Sequence, residues 1–354
     1  MLHLGTLREM LAFTDWANDR LFSSAAAIGD DGLDRPFDMG MGNLRKTLIH
    51  LYNGEFVWTE RARGRIETPW PSEDERVTAP ALLERLMASR CTRDAFVNTL
   101  DDAAMGREQR YRDSRGGLFR ATLSDMWMQL CVHSMHHRAQ TLNMLRHTGG
   151  ALPKPGADYI FMRLERAERR NQLSGAADPR AAAPTDDIPP IDIDSLRGFF
   201  AYGDAAQTRL HAAAERLSDA QLDQPFEMGE GTLRGTLLHI RFAEQWWLEN
   251  WTQGPGRPFP ELPNETPVAQ ATELFMQTAK ARNAFIAGLA DADLKRIVEA
   301  HPRPNIVRRF PLGVTMLQIC HHGVHHRAQG VNMLRRVGGE ALEVDYMVSV
   351  RKPV

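Results

Sequence analysis

The stretch VHSMHHRAQTLNMLRHTGG, Val132–Gly150, decides the fold because it occurs twice. It returns as HHGVHHRAQGVNMLRRVGG, His321–Gly339, at an offset of 189 residues. The same offset aligns PFDMGMGNLRKTLIH (Pro36–His50) with PFEMGEGTLRGTLLH (Pro225–His239). It pairs Glu55 with Glu244, Trp58 with Trp247, Phe96 with Phe285, Arg120 with Arg309 and Cys131 with Cys320. The halves align from Leu7 to Gly150 with no net gap. That period is too long for a solenoid repeat and marks a duplicated domain. The stretch NQLSGAADPRAAAPTDDIPP, 171–190, is rich in Ala, Pro and Asp, lacks aromatic residues and reads as a linker. The expected organisation is one domain over 1–170, the linker over 171–190 and a second domain over 191–354.

Around the repeated stretch each half is helical. In the first half Leu4, Leu7, Leu11, Thr14, Ala17 and Leu21 recur at three-four spacing, which predicts a helix over 4–27. A second starts near Asn43, a good N-cap residue, and stops at Gly64. A third covers 78–100 with Pro80 in its first turn, and a fourth covers 122–147 and ends at Gly149-Gly150. The second half repeats these over 194–217, 232–253, 267–289 and 311–337. No segment alternates β-branched residues with a period of two, so the fold class is all-α. Helices of about 20 residues, each about 30 Å long, bury their apolar stripes best in a four-helix bundle. The connections after the first and third helices exceed ten residues, long enough for a crossover.

Composition sets outer limits. The 354 residues are 43% hydrophobic and 25% charged, ordinary values for a globular chain. A formal net charge of −2 gives no support to nucleic-acid binding through a strongly basic surface. No apolar run approaches the roughly 18 residues of a membrane span. Arg8, Glu9 and Asp15 interrupt the N-terminus where a signal peptide needs an apolar stretch. Three cysteines, Cys91, Cys131 and Cys320, are too few for a disulfide scaffold and fit a reducing compartment. The expectation is a cytoplasmic protein that acts on a small molecule, with neither nucleic acid nor membrane as partner.

The histidines carry the chemistry. His133 and His137 stand at i and i+4 on one face of the fourth helix, so two imidazoles can reach one ion. His133/His136 offers an i, i+3 alternative, and it recurs too, as His322/His325. His322/His326 copies His133/His137, whereas His321 falls on Val132, so His321/His325 has no copy. His136 and His325 are assigned to flanking positions. His50, mid-helix in an apolar stripe, and its copy His239 supply a third nitrogen. Three protein ligands leave a coordination position open, the arrangement of a catalytic site. Cys131 and Cys320 precede the first ligand of the fourth helix by two residues, about 200° around the helix, and read as small core residues. Arg138/Arg327 and Gln140/Gln329 read either as inter-helix polar contacts or as groups that orient the site. Glu55/Glu244 reads as a salt-bridge partner in preference to a general base. Arg241 and Gln245 stand where the first half has Tyr52 and Phe56, so the two pockets are expected to differ. Asp158-Tyr159 recurs as Asp345-Tyr346, so that a tail segment packs back on each domain.

With those residues in place, each half resembles a DinB-family domain, of the DinB/YfiT-like metalloenzyme superfamily. The resemblance rests on LIHL around His50, LLHI around His239, and the H-x-x-x-H-R-x-Q pattern from His133 and from His322. It implies metal ligation by His50, His133 and His137, and by His239, His322 and His326. It implies four-helix bundles with up-down-down-up order, here two in tandem arranged as a pseudo-dimer within a monomeric chain. It implies a divalent metal, zinc or nickel first, iron or manganese next. Relatives with known activity include bacillithiol S-transferases and a mycothiol-dependent maleylpyruvate isomerase. The function so implied is thiol-dependent S-transfer or isomerisation with a metal-activated thiolate, the thiol being a low-molecular-weight co-substrate. The alternatives are a hydrolase using activated water and a non-catalytic metal-binding stress protein. Glu55, Arg138, Glu244 and Arg327 are the candidates for supporting residues around the ligands.

Overall fold

The stretches of three-four spacing are helices, and the sequence supplies their caps. The computed structural model describes residues 1–354 except 155, 175–187, 262, 264 and 304–305, with backbone alone for 171–174 and 303. The first half runs α1 (Leu4–Ala26), α2 (Asp30–Leu33), α3 (Leu44–Ala62), α4 (Ala79–Val97), α5 (Asp102–Met105), β1 (Glu108–Arg112), β2 (Leu118–Thr122) and α6 (Leu123–His147). The second half runs α7 (Tyr159–Ser174), α8 (Ile193–Ala214), α9 (Asp219–Leu222), α10 (Leu233–Gln253) and α11 (Val268–Ala287). It continues with a 3-10 turn, β3 (Ile297–Arg303), β4 (Ile306–Pro311), α12 (Leu312–Arg336), α13 (Tyr346–Val350) and β5 (Lys352–Pro353). Asn43 caps α3 by accepting the Lys46 N–H at 2.8 Å. Thr122 and Asp125 close a reciprocal capping box at the start of α6.

The first four-helix bundle consists of α1, α3, α4 and α6. α3 packs on α4 and α6, and α1 packs on the same two helices. Polar contacts fix the directions. Thr47 meets Met144 and His50 meets His133, so α3 runs antiparallel to α6. Leu2 meets Ser124 and Asn18 meets Ser134, so α1 runs parallel to α6. Arg90 meets Asp19 and Arg93 meets Asp15, so α4 opposes α1. The order is therefore up-down-down-up. The helices α8, α10, α11 and α12 repeat it, with Thr236 on Met333, His239 on His322 and Arg282 on Asp204.

Two features depart from the expectation of helices alone. Each third-to-fourth connection holds an antiparallel hairpin, β1–β2 and β3–β4. In β1, EQRYR, only Tyr111 is fully buried, and in β3 the buried pair Val298 and Ala300 spans just two alternations, too short a pattern to stand out. The second departure concerns the tails. Clustering of contacts divides the chain into unit 1, Met1–Ala157 with Glu343–Val354, and unit 2, Asp158–Leu342. A tail does close each unit, but it is the other copy's tail. In unit 2 the side chain of Gln318 accepts the Ile160 N–H at 3.0 Å, and Tyr159 meets His321 edge-on at 5.4 Å. In unit 1 Gln129 accepts the Met347 N–H at 2.9 Å, Tyr346 donates to Asp125 at 2.9 Å, and β5 pairs with β2. Of the expected linker, 171–174 continues α7 and 175–187 lie outside the described residues. No helix among the described residues is long and apolar enough to cross a membrane.

Two predictions follow from this packing. Deleting residues 343–354 removes the Tyr346–Asp125 and Met347–Gln129 hydrogen bonds, a β-strand and the buried Met347 from unit 1. At about 1 kcal/mol for each of these two hydrogen bonds and about 2 for the side chain, unit 1 loses roughly 4 kcal/mol or more. Calorimetry should show a new, lower transition; an unchanged melting profile contradicts the tail's role. The second concerns His211 of α8, which stands where the first copy has Phe22. It is buried against Phe275, only its Nδ1 finds a partner, Thr272 at 3.0 Å, and burial pushes its pKa down to about 4. Between pH about 6.5 and about 4 the unfolded chain binds a proton that the folded chain refuses. Stability from this group is thus complete above about 6.5 and falls as pH drops through that window. His211→Phe should remove roughly 2–3 kcal/mol of that decline, read as the difference between urea unfolding curves near pH 7 and near pH 4.5.

Candidate metal centre

The antiparallel contact of α3 with α6 places His50 beside His133, and one helical turn adds His137. The His50 and His133 Nε2 atoms lie 3.1 Å apart, and the three ring centroids are separated by 4.3, 4.5 and 4.9 Å. In unit 2 the His239 and His322 Nε2 atoms also lie 3.1 Å apart, with His326 completing the group. In each triad one nitrogen per ring falls within 4.8 Å of the others. The six histidines picked from the sequence thus form two groups of three.

The surroundings fit a cation. Burial first, and neighbouring imidazoles second, hold His133, His137, His322 and His326 well below the ordinary imidazole pKa. These rings are neutral at pH 7 and carry a lone pair each. Their tautomers are set from outside. Gln140 Oε1 lies 2.8 Å from His137 Nδ1, and Gln140 Nε2 lies 3.1 Å from His136 Nε2. With the amide so oriented, His137 is protonated on Nδ1 and its Nε2 lone pair faces the triad. Gln329 does the same between His326 and His325. Glu73 accepts from His50 Nδ1 at 2.8 Å, so the His50 Nε2 lone pair also faces inward. One proton on His133 cannot serve both inward lone pairs, whereas one divalent cation serves all three nitrogens.

Other residues support the centre at one remove. Gly54 of α3 is a close approach: a Cβ there would stand 2.7 Å from His133 Nδ1. Trp70 donates its Nε1–H to Glu73 at 2.6 Å and its ring lies 4.9 Å from that of His50. Burial alone would raise the Glu73 carboxyl, but the His50 and Trp70 hydrogen bonds outweigh it and hold the group below its ordinary value. Sequence reading missed Gly54, Trp70 and Glu73, while Gln140 and Gln329 take the orienting role considered for them. Tyr52 stacks on Phe56, and Gln245 bonds Glu249 at 2.6 Å. These contacts run along their own helices.

Glu55 and Glu244 engage arginines. Glu55 accepts from Arg93 at 2.9 Å, and Arg93 also reaches Asp15 at 2.7 Å. Glu244 pairs with Arg282, which reaches Asp204 at 2.5 Å. Burial raises the Glu55 carboxyl, and the Arg93 guanidinium opposes that rise. These networks tie the second helix of each bundle to the third and first. Arg138 donates to Asn18 at 3.3 Å and lies over Phe13 at 4.8 Å, while Arg327 lies over Tyr202 at 5.6 Å. Cys131 is fully buried, and burial pushes its thiol up to about 12, the state of an inert core residue.

An up-down-down-up bundle with three convergent histidines defines a class of helical metal-binding domain. Residues 1–170 match the DinB family and residues 202–329 match the DinB superfamily. The chain belongs to the DinB superfamily and carries two of its domains in tandem. No curated protein and no solved structure matches it.

The buried ion pair yields a test. Arg93→Met strands the Glu55 carboxylate, which is 3% exposed, and should cost about 3–5 kcal/mol. Adding Glu55→Leu should recover most of that loss, because replacing a whole buried pair is close to neutral. Denaturant unfolding of the two variants reads both effects; equal stability of single and double variants contradicts the assignment.

Proposed function

We propose that the protein is a divalent-metal-dependent enzyme that activates a small nucleophile, with a low-molecular-weight thiol as the favoured co-substrate. The observation that carries this reading is the set of three imidazoles in each unit, with one nitrogen per ring within 4.8 Å of the others, three donors rather than four. His50, His133 and His137 would hold the ion in unit 1, and His239, His322 and His326 in unit 2. A divalent cation bound there supplies Lewis acidity, which lowers the pKa of a thiol or a water near neutral pH. Zinc and nickel suit a three-imidazole donor set, and iron and manganese follow. The chain's own contribution is positional. Glu73 and Gln140 keep protons on the outer ring nitrogens, so the inner nitrogens stay available as donors. The apolar interior around His133 excludes bulk water and strengthens charge interactions at the site. Membership of the DinB superfamily supports metal binding, and the resemblance to thiol-dependent relatives favours S-transfer over hydrolysis. The monomeric chain, a small-molecule substrate and a cytoplasmic setting belong to the same proposal.

Metal content per chain tests the first half of the reading, using untagged protein purified without added metal. The parent should carry up to two equivalents by mass spectrometry, His137→Ala and His326→Ala one fewer each, and the double variant none. Absence of metal, with no uptake of zinc or nickel on titration, leaves six core histidines and overturns the reading. Loaded protein is then offered low-molecular-weight thiols with a chromophoric electrophile. Metal-dependent consumption of thiol supports S-transfer. Product release without thiol supports the hydrolase, and no turnover at full occupancy supports the non-catalytic protein.

A further inference from the structure

The two triads share their ligands but differ in what stands behind them. In unit 1 the His50 Nδ1–H points at the Glu73 carboxylate at 2.8 Å, and both side chains are largely buried, 13% and 17% exposed. Glu73 is held in turn by Trp70 at 2.6 Å, and the loop that carries it is pinned by Asn53, whose amide donates to Pro71 O at 3.0 Å. At the offset of 189 the counterpart of Glu73 is Leu262 and that of Trp70 is Phe259. Neither can repeat the arrangement, since leucine accepts no hydrogen bond and phenylalanine donates none. Unit 2 turns instead to Glu230, on the connection before α10, at a position where the first copy has Met41. Glu230 stands 3.5 Å from His239 Nδ1, beyond good hydrogen-bond length, and is 45% exposed. The second ligand differs as well. His133 is 5% exposed and packs against Gly54 with no room for a Cβ, while the corresponding position in α10 is Ala243 and His322 is partly exposed.

We infer that the two centres are unequal in metal affinity, with the unit 1 centre made tight by Glu73 acting as a positioning residue on His50 and the unit 2 centre weaker and more exchangeable. The inference rests on the metal reading above and concerns residues that do not themselves ligate. A carboxylate on the outer nitrogen of a ligand histidine fixes the tautomer, fixes the ring plane and makes the inner nitrogen a better donor. Loss of such a partner typically lowers metal affinity about 10–100-fold. A carboxylate at 3.5 Å and half in water supplies only part of that effect. Duplication has therefore kept both triads while building the outer support of only one.

The test is zinc affinity, measured on metal-stripped full-length protein by competition with a fluorescent chelator. His326→Ala isolates the unit 1 centre and His137→Ala isolates the unit 2 centre. The unit 1 centre should bind about tenfold or more tightly than the unit 2 centre. In the His326→Ala background, Glu73→Gln should lower affinity about 10–100-fold, while the melting temperature of the stripped protein stays within a degree or two of its parent. In the His137→Ala background, Glu230→Gln should change affinity by less than about threefold. Trp70→Phe, which copies the unit 2 residue and keeps a ring in place, should give a smaller loss at the unit 1 centre. It serves as the working variant if Glu73→Gln fails to fold. Equal affinities at the two centres overturn the inference, as does a unit 1 centre indifferent to both Glu73→Gln and Trp70→Phe. Failure of either centre to take up zinc in the parent overturns the metal reading itself, which is a different and recognisable result.

Discussion

The structure depends on the approach of His50 to His133 across the antiparallel α3–α6 contact. Two imidazoles meeting nitrogen to nitrogen inside an apolar bundle are an awkward pair. A buried acceptor left without a donor costs about 1–3 kcal/mol, and each triad turns at least one surplus lone pair inward. A chain gains no stability from that arrangement unless something electrophilic occupies the convergence point. The residues around the triad enforce the awkwardness rather than relieve it. Gln140 and Glu73 take up the outer nitrogens of His137 and His50, so a proton on His133 satisfies only one of the two lone pairs turned inward. A bundle selected for stability alone would place leucines here.

The duplication serves as an internal comparison. Positions that carry the bundle are the same in both copies. Arg45 with Asp30 and Asp34 recurs as Arg234 with Asp219 and Asp223, and Arg93 with Asp15 and Glu55 recurs as Arg282 with Asp204 and Glu244. These buried arginines staple the connections and the third helix to the second; removing the acids would leave the arginines stranded in the interior, and removing Arg93 or Arg282 would strand Glu55 or Glu244. The six ligands are also the same. Among the neighbours of the first triad, Trp70, Glu73 and Gly54 have changed, to Phe259, Leu262 and Ala243.

The helices were legible because three-four spacing and capping residues act locally. Leu4 through Leu21, Asn43, Thr78 and Thr122 mark starts and stripes within a few residues of their effect. The histidine triads were legible for a different reason: His50, His133 and His137 all recur in the second half, and the H-x-x-x-H-R-x-Q pattern, not repetition, set His137 above His136, whose copy His325 is repeated too. The same criterion hid the outer support of His50. Glu73 has Leu262 as its copy, so a search for repeated residues passes over it. Gly54 escaped likewise, since its copy is Ala243 and its role is an absence of atoms against His133. The hairpins escaped because β1 buries one side chain and β3 alternates only over Val298 and Ala300.

The tails show where local reading stops altogether. Asp158-Tyr159 and Asp345-Tyr346 announce a repeated contact, and Gln318 and Gln129 receive the backbone N–H that follows each tyrosine. Nothing in either motif states which copy's glutamine it meets, because both copies offer the same partner with the same geometry. Connectivity decides. The segment that leaves α6 becomes part of unit 2, and the chain's last twelve residues complete unit 1. The β2 edge of unit 1 is thus left without its third strand until Lys352 is in place, although α6 ends some 200 residues earlier. Unit 1, whose triad has the closer carboxylate support, is therefore the unit that waits longest for its own final element. A fragment cut at the sequence repeat would carry all three ligands and still lack the strand and the Met347 contact that close the bundle around them.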